Sequence, residues 1–597
     1  MKKAVWLALN AKYSHTSLAV RYLRQAVPGS EILELTINDH LSDILGEVYD
    51  RQPEVLGIAC YIWNIELVKD LLRLLAEAMP ELTIICGGPE VSYEVEEFLR
   101  EFPMVDFVVR GEGEQALAAL AACDYEPDHE IGGVAWRDAG GRIHAGQAVT
   151  VPDITRLPFP YTPAELADED FRERILYYET SRGCPFACAY CLSCATAGVR
   201  YLPLARVRRE LDAFVAADVR QVKFVDRTFN ANKNHFLPIL RYIADLPRSC
   251  RTNFHFEIAV DYMDDEALEL LARMPAGRVQ LEIGIQSTNK DTLAAVARVN
   301  HWSDIAGHIG RLRSYHNMHI HTDLIIGLPG EGMASFRQSF NDVYALHSDM
   351  LQLGFLKFLK GARMMELVER YHYAYMPLAP YEVIHSDALS YGEIHWLHLF
   401  EDVFERYHNA GRCRYTAQYI IQCYEQGDAF AFWQKLTDWW RGRRYHRRGH
   451  STAALYGYMQ SFVSEQYGLP RGAGTLIAAL LRYDALQADG GSVRSGDLDW
   501  NGKEYQPLTA PFWRSDRPRR YIPGYRFPGW RRLQHMYHIE VFPYRVQQAE
   551  AYMQEDGSKP ELEPVRQALL FDYTAAPLRV YDVTTELESD DPNGAEK

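Results

Sequence analysis

The sequence predicts an α/β protein in three parts: a doubly wound parallel sheet, a partial barrel of six strand–helix units, and a mainly helical C-terminal domain with a small α+β end. Three observations predict it. Short apolar strands alternate with amphipathic helical spacing over residues 1–125, a second series of such runs extends from Ile175 to Leu359, and helical spacing of large residues takes over from Gly361. At 597 residues the chain is too long for one core. Its 47% hydrophobic and 24% charged residues are those of a globular protein.

The first strands read as Ala4–Leu9, Glu31–Leu35, Val55–Cys60, Thr83–Cys86 and Asp106–Val109, with a helix at Ile65–Ala78. In such sheets ligands sit beyond the carboxyl ends of the strands. Those ends hold Asn10 and His15, Tyr61 and Asn64, Gly87-Gly88-Pro89-Glu90, and Arg110-Gly111-Glu112-Gly113-Glu114. Residues 126–174 read as a β-hairpin over Ile131–Ile143 and an extended linker in which Pro158, Pro160 and Pro163 block helix. The barrel occupies residues 175–360, and six strand–helix units leave it open at one side. In the C-terminal domain, 361–580, strands are expected at Ile539–Tyr544 and Ala568–Phe571, and the acidic residues of 581–597 read as a frayed tail.

Ten cysteines are scattered along the chain, and only Cys184, Cys188, Cys191 and Cys194 cluster, which excludes a disulfide scaffold and fits a reducing cytoplasm. No apolar stretch is long enough to span a bilayer, and the apolar start, which runs into Asn10 and Lys12, reads as a buried strand and not a signal peptide. The run Gly183-Cys184-Pro-Phe-Ala-Cys188-Ala-Tyr190-Cys191 places three thiols on one tight loop with a fourth position empty. That spacing suits a [4Fe–4S] cluster whose fourth iron stays open to a small molecule. A structural zinc site is the alternative, with Cys194 or a His closing the coordination, but zinc loops favour paired C-x2-C knuckles.

The loop resembles the cluster loop of the radical S-adenosylmethionine (SAM) superfamily, as do the runs Gln280–Ser287 and His321–Glu331. The resemblance implies Cys184, Cys188 and Cys191 as cluster ligands and Tyr190 beside the adenine. It also implies polar contacts to SAM from Glu282 and Ser287, and a turn of Gly327 and Gly330 against the adenine. Asp226 stands where members carry a Gly-Gly-Glu-like turn that grips the methionine amine, although a strand-end Asp equally forms structural ion pairs. Glu257 ends the next strand and faces either the ribose or the substrate.

The Gly-Gly-Pro and Arg-Gly-Glu-Gly-Glu turns resemble the cobalamin-binding, flavodoxin/Rossmann-like domain that precedes the TIM-like barrel in one branch of that superfamily, which implies cobalamin contacts at Asn10, His15, Tyr61, Asn64, Gly87, Gly88, Gly111 and Gly113. The Asp-x-His-x-x-Gly signature of imidazole-ligated cobalamin is missing; Asn38-Asp39-His40 lacks its spacing, and His15 is either a ligand or a loop His bonded to backbone. Domain order resembles an uncharacterised bacterial family of such proteins with a helical C-terminal domain. The branch implies reductive cleavage of SAM to a 5′-deoxyadenosyl radical and modification of an unactivated carbon of a small molecule or peptide, most readily by methyl transfer through methylcobalamin. It also implies a reducing electron donor such as flavodoxin or ferredoxin. Radical cyclisation or rearrangement without methylation is the alternative within the branch, and no residue is singled out as a catalytic base.

Two basic aromatic stretches, Trp439–Arg448 and Arg514–Arg532 with Tyr521, Tyr525, Phe527 and Trp530, suit stacked bases, and a metal-binding nucleic-acid adaptor is the reading they would support. A net charge of −17 repels polyanions, so nucleic acid is disfavoured and these arginines are expected to pair with carboxylates.

Overall fold

The computed structural model describes residues 2–138, 140–195, 198–469, 471–489, 498, 500, 502–526, 533, 536–552, 561–575 and 578–588. It divides into two compact units, Met1–Ser339 with Leu353–Ile394, and Phe340–Gln352 with His395–Lys597.

In the first unit a seven-stranded sheet comprises β1 (Ala4–Asn10), β2 (Glu31–Thr36), β3 (Val55–Ala59), β4 (Thr83–Gly87), β5 (Phe107–Val109), β6 (Val134–Arg137) and β7 (Ile143–Ala145), in the order β2-β1-β3-β4-β5-β6-β7. The first five are parallel, because each crossover carries a helix that needs a sheet face to cover its apolar stripe. Alternate residues of β1 therefore enter opposite cores: Val5, Leu7 and Leu9 pack with Leu71, Leu72 and Leu75 of the helix Ile65–Ala78, whereas Ala4, Trp6 and Ala8 pack with Leu117 and Leu120. The hairpin expected in the linker instead adds β6 and β7 antiparallel to the edge strand β5, which caps an otherwise open edge. Pro163 does not block helix. It occupies the first turn of the helix Pro163–Ala167 behind a Thr162/Glu165 capping box, the one helical position where a missing N–H costs nothing.

The barrel begins with β8 (Ile175–Tyr178). A short antiparallel pair, β9 (Ser181–Arg182) and β10 (Arg200–Tyr201), then brackets the cysteine loop. The strands β11 (Gln221–Phe224), β12 (Asn253–Ile258), β13 (Val279–Gln286), β14 (Met318–Ile326) and β15 (Met350–Phe355) complete a six-stranded sheet that ends at β8 and β15 and so stays open. Its outer face is apolar, with Leu176, Val222, Phe224, Phe254, Phe256, Leu281 and Ile283 buried. The alternate positions carry Tyr177, Lys223, His255, Glu257, Glu282, His321 and Asp323, in contrast to the branched aliphatics that fill a closed barrel.

Residues 361–394 pack within this first unit. Met364 N donates to Ala189 O at 2.8 Å, Tyr381 OH donates to Glu90 at 2.7 Å, and the stretch carries its own pair β16 (Ala374–Tyr375) and β17 (Val383–His385).

The second unit is mainly helical, with the helices Arg414–Tyr424, Ala429–Gly442, Thr452–Tyr467 and Arg471–Ala488. The buried Asp484 accepts from Tyr415 N, Thr416 N and Thr416 Oγ1 at 2.7–3.0 Å and so pins the start of the first of these to the last. The antiparallel sheet β18 (Tyr537–Phe542), β19 (Gln567–Asp572) and β20 (Arg579–Asp582) adds one strand to the two expected. Residues 584–588 are not frayed: they form the helix Thr584–Glu588, held by burial of Val583 and Leu587, and 589–597 lie outside the described residues.

Gly88 has φ +119°, and a Cβ there would stand 2.4 Å from Cys60 O. Gly88→Ala is therefore expected to cost about 1–3 kcal/mol, read as an earlier urea transition of the first unit. An unchanged midpoint would contradict this packing.

Candidate active site

A cavity of about 850 Å³ opens where β1, β3, β4 and β5 end. Asn10, His15, Tyr61, Gly87, Gly88, Gly111 and Gly113 line it, as do Tyr177, Glu179, Arg182, Gly183 and Arg227 from the barrel side. Asn64 does not. Its amide donates to Leu9 O and Ala59 O and its Oδ1 accepts from Tyr61 N, so it shapes the turn that presents the stacked rings of Tyr61 and Trp63. His15 shares a 2.5 Å hydrogen bond between Nδ1 and Tyr177 OH, and burial followed by the charge of Lys12 lowers its pKa and keeps the imidazole neutral. Glu114 also lines the cavity, and its Oε2 is buried with no hydrogen-bond partner among the described residues. An orphan acceptor in a corrin-sized cleft fits a macrocycle that carries carboxamide donors.

The three thiols lie beside this cavity on the loop between β9 and β10, and Gly183, Leu192 and Ser193 of that loop form part of its wall. Ala189 N donates to Val296 O at 2.9 Å, which anchors the loop to the segment after β13. Cys184 Sγ lies 3.6 Å from Thr228 Oγ1, Cys191 Sγ accepts from Ser193 N at 3.4 Å, and Cys188 Sγ accepts from Arg298 Nη1 at 3.8 Å. Arg298 also donates to Tyr190 OH at 3.3 Å and to Gly284 O. The sequence reading did not single it out, and it places a guanidinium directly against Cys188. Among the described residues no group of three or more His, Cys, Asp or Glu side chains is already drawn together as a metal site, and the side chain of Cys194 is not described. A donor set of three sulfurs with an adjacent cation suits an open-cornered iron–sulfur cluster.

Asp226 is fully buried and accepts from Thr180 N, Thr180 Oγ1 and Ser181 Oγ at 2.6–2.9 Å. Its oxygens anchor the approach to the thiol loop. Burial raises its carboxyl to about 6. Ser287 is likewise sealed. Its Oγ donates to Glu331 at 2.6 Å, Ser339 donates to the same oxygen at 2.9 Å, and this triad ties the turn after β14 to that after β13. Gly327, φ +91°, would set a Cβ 2.9 Å from Val383, and its carbonyl accepts from Tyr373 OH at 2.7 Å, whereas Gly330 faces open space.

Glu282 sits 2.9 Å from Lys223 Nζ and 3.0 Å from His255 Nε2. Burial works to raise its carboxyl, but these two neighbours hold it down to about 2. Asp323 stands 3.0 Å from His321 Nε2. Glu257, half-buried beside them, has no ion-pair or hydrogen-bond partner among the described residues. Burial, then the charge of Glu282, pushes its carboxyl up to about 7.

In the second unit, Arg443 pairs with Glu465, Arg519 with Asp516 and Arg520 with Glu586. Arg443 covers the ring of Trp439 and Arg448 that of Tyr445, which leaves those faces closed to bases. Phe527 and Trp530 lie outside the described residues.

Family comparison matches three segments of the chain. Residues 5–121 match the B12-binding domain and 178–343 the radical SAM superfamily, while 369–562 match a family of unknown function, DUF4080. The chain carries a B12-binding domain followed by a radical SAM domain. It is 27% identical over 437 residues to the 2-(S-pantetheinyl)-carbapenam-3-carboxylate methyltransferase of Streptantibioticus cattleyicolor, covering 66% of this chain and 62% of that one. It is 27% identical over 464 residues to the cobalamin-dependent radical SAM methyltransferase TokK of Streptomyces tokunonensis, covering 70% and 65%. The match thus spans less than two thirds of either relative. Among solved structures, OxsB, a cobalamin-dependent radical enzyme with aqua-cobalamin and SAM bound, shares the fold at TM-score 0.56 and 14% identity over 83% of this chain and 82% of that one. The methyltransferase TsrM from Kitasatospora setae does so at TM-score 0.53 and 16% identity, over 62% and 76%. No described helix is long and apolar enough to cross a membrane.

Glu257 supplies a pH test. Its folded pKa of about 7 lies above the ordinary 4.5, so between these values the unfolded chain binds fewer protons and the residue's contribution to stability falls as pH rises. Glu257→Gln is expected to match the parent's urea midpoint below pH 4.5 and to exceed it above pH 7. A parallel offset at every pH would contradict the assignment.

Proposed function

We propose that the protein is a cobalamin-dependent radical SAM methyltransferase that acts on an unactivated carbon of a small molecule or peptide, with a one-electron donor such as a flavodoxin or ferredoxin. The observation that carries this reading is the shared wall: the loop that bears the three thiols lines the same cavity as the strand-end loops of the B12-binding domain. When bound, a [4Fe–4S] cluster with SAM supplies reductive sulfonium cleavage and hydrogen removal from carbon, and cobalamin supplies the methyl group.

The chain's own residues prepare that chemistry. Cys184, Cys188 and Cys191 would hold the cluster, with Arg298 offsetting its negative charge. Tyr190 and the Gly327–Gly330 turn would flank the adenine, and Glu282, kept ionised by Lys223 and His255, would accept from hydroxyl or ammonium donors of SAM. His15, tied to Tyr177 through Nδ1, lines the cavity that would hold cobalamin.

Reconstitution without oxygen tests the reading. The parent protein is expected to retain about one cobalamin and about four irons and to form 5′-deoxyadenosine only with reductant. Cys188→Ala is expected to lose the cluster and at least a thousandfold of this activity, roughly the ~4 kcal/mol of a missing catalytic component. Zinc in place of iron, or SAM cleavage unaltered in Cys188→Ala, would overturn it. A product heavier by one methylene than its substrate separates methylation from rearrangement.

A further inference from the structure

The cysteine loop leaves the barrel through β9 and returns through β10, so Arg182 and Arg200 stand at its two feet. One loop of the first sheet holds both. Arg200 grips Glu112 with two bonds, Nη2 to Oε1 at 2.6 Å and Nη1 to Oε2 at 2.9 Å. Arg182 Nη1 lies 3.2 Å from the same Glu112 Oε2, and its Nη2 donates to Glu114 Oε1 at 2.9 Å and to Glu179 Oε1 at 2.5 Å. Glu112 also accepts from Val151 N at 2.6 Å, which fixes it to the backbone.

These five side chains are 9–20% exposed, so water does little to screen them and loss of one partner strands the others. Burial alone would raise the Glu112 carboxyl, yet Arg200 and Arg182 hold it below the usual range. Glu112 is thus held as a carboxylate between the two guanidiniums. The network also faces the cavity: Glu112, Glu114 and Arg182 all line it, and Glu114 Oε2 is the buried acceptor left without a partner among the described residues. A ligand that fills the cavity therefore meets the carboxylates that position both feet of the thiol loop.

We propose that the Glu112/Glu114–Arg182/Arg200 clamp couples the two cofactor sites, so that cobalamin in the cavity and a cluster on the thiol loop strengthen each other's binding. The inference rests on the reading of the cavity as a cobalamin site. Arg182 and Arg200 are positioning residues in it, because they act through the loop and not on a reacting atom. Linkage requires the effect to be reciprocal.

The test uses the full chain without oxygen. Hydroxocobalamin is titrated by absorbance into protein with and without assembled cluster, and iron loss to a chelator is followed with and without hydroxocobalamin. In the parent the cluster is expected to tighten hydroxocobalamin about 5–150-fold, and the cobalamin to slow iron loss. Glu112→Gln is expected to bring both ratios close to one while each cofactor still binds. Arg200→Lys, which keeps the charge but loses the paired bonds and serves equally well should Glu112→Gln fail to fold, is expected to give intermediate ratios. A purely structural clamp would weaken both affinities and leave the ratios unchanged, and that result would overturn the proposal. A parent ratio of one, with both cofactors bound, would overturn the coupling alone. Iron without any retained cobalamin would overturn the cavity reading and the coupling with it.

Discussion

Two guanidiniums share one carboxylate, and that sharing decides where the thiol loop can be. Arg182 and Arg200 lie on opposite arms of the loop, and Glu112 from the first sheet reaches both. Because the network is largely buried, its charges are bound to one another and not to water, and its geometry is correspondingly specific. Gly183, Leu192 and Ser193 of the thiol loop consequently wall the cavity at the carboxyl ends of β1, β3, β4 and β5. A flexible tether would give no such alignment.

A second layer supports this one from within the barrel. Asp226 holds Thr180 and Ser181, just before the β9 foot, and Arg298 braces Cys188 and Tyr190 against Gly284. Glu331 joins the two turns after β13 and β14 through Ser287 and Ser339. Each of these polar groups is committed to scaffold, while Glu257 is left without a partner among the described residues and Glu282 stays ionised beside it. The barrel thus separates groups that hold the site from groups that face its contents.

Much of this was legible in the sequence, for local reasons. The strands of the first sheet fall within a residue or two of their expected bounds, and the helix Ile65–Ala78 coincides, since alternation and helical spacing are short-range signals. Three thiols at C-x3-C-x2-C, and most of the residues expected around the cavity, needed only spacing and strand ends. What escaped was long-range. The clamp joins residues 68 and 88 positions apart, and no local pattern pairs Arg200 with Glu112. Asp226, Ser287 and Asn64 have the side-chain types of ligand-binding residues, and only their burial against Thr180, Glu331 and Leu9 reveals anchors. Arg298 carried no motif of its own. Pro163 misled through its ring, because the same residue that breaks a helix interior begins a helix well.

One cavity carries both the strand-end loops of the B12-binding domain and residues of the thiol loop, so both cofactors would meet in it. The most direct test of this is the electron paramagnetic resonance spectrum of the protein loaded with cob(II)alamin and a reduced cluster. The shared wall predicts that reducing the cluster splits or broadens the cobalt signal through spin coupling, since the two centres would then lie across a single cavity. A spectrum equal to the sum of the two isolated centres would contradict it.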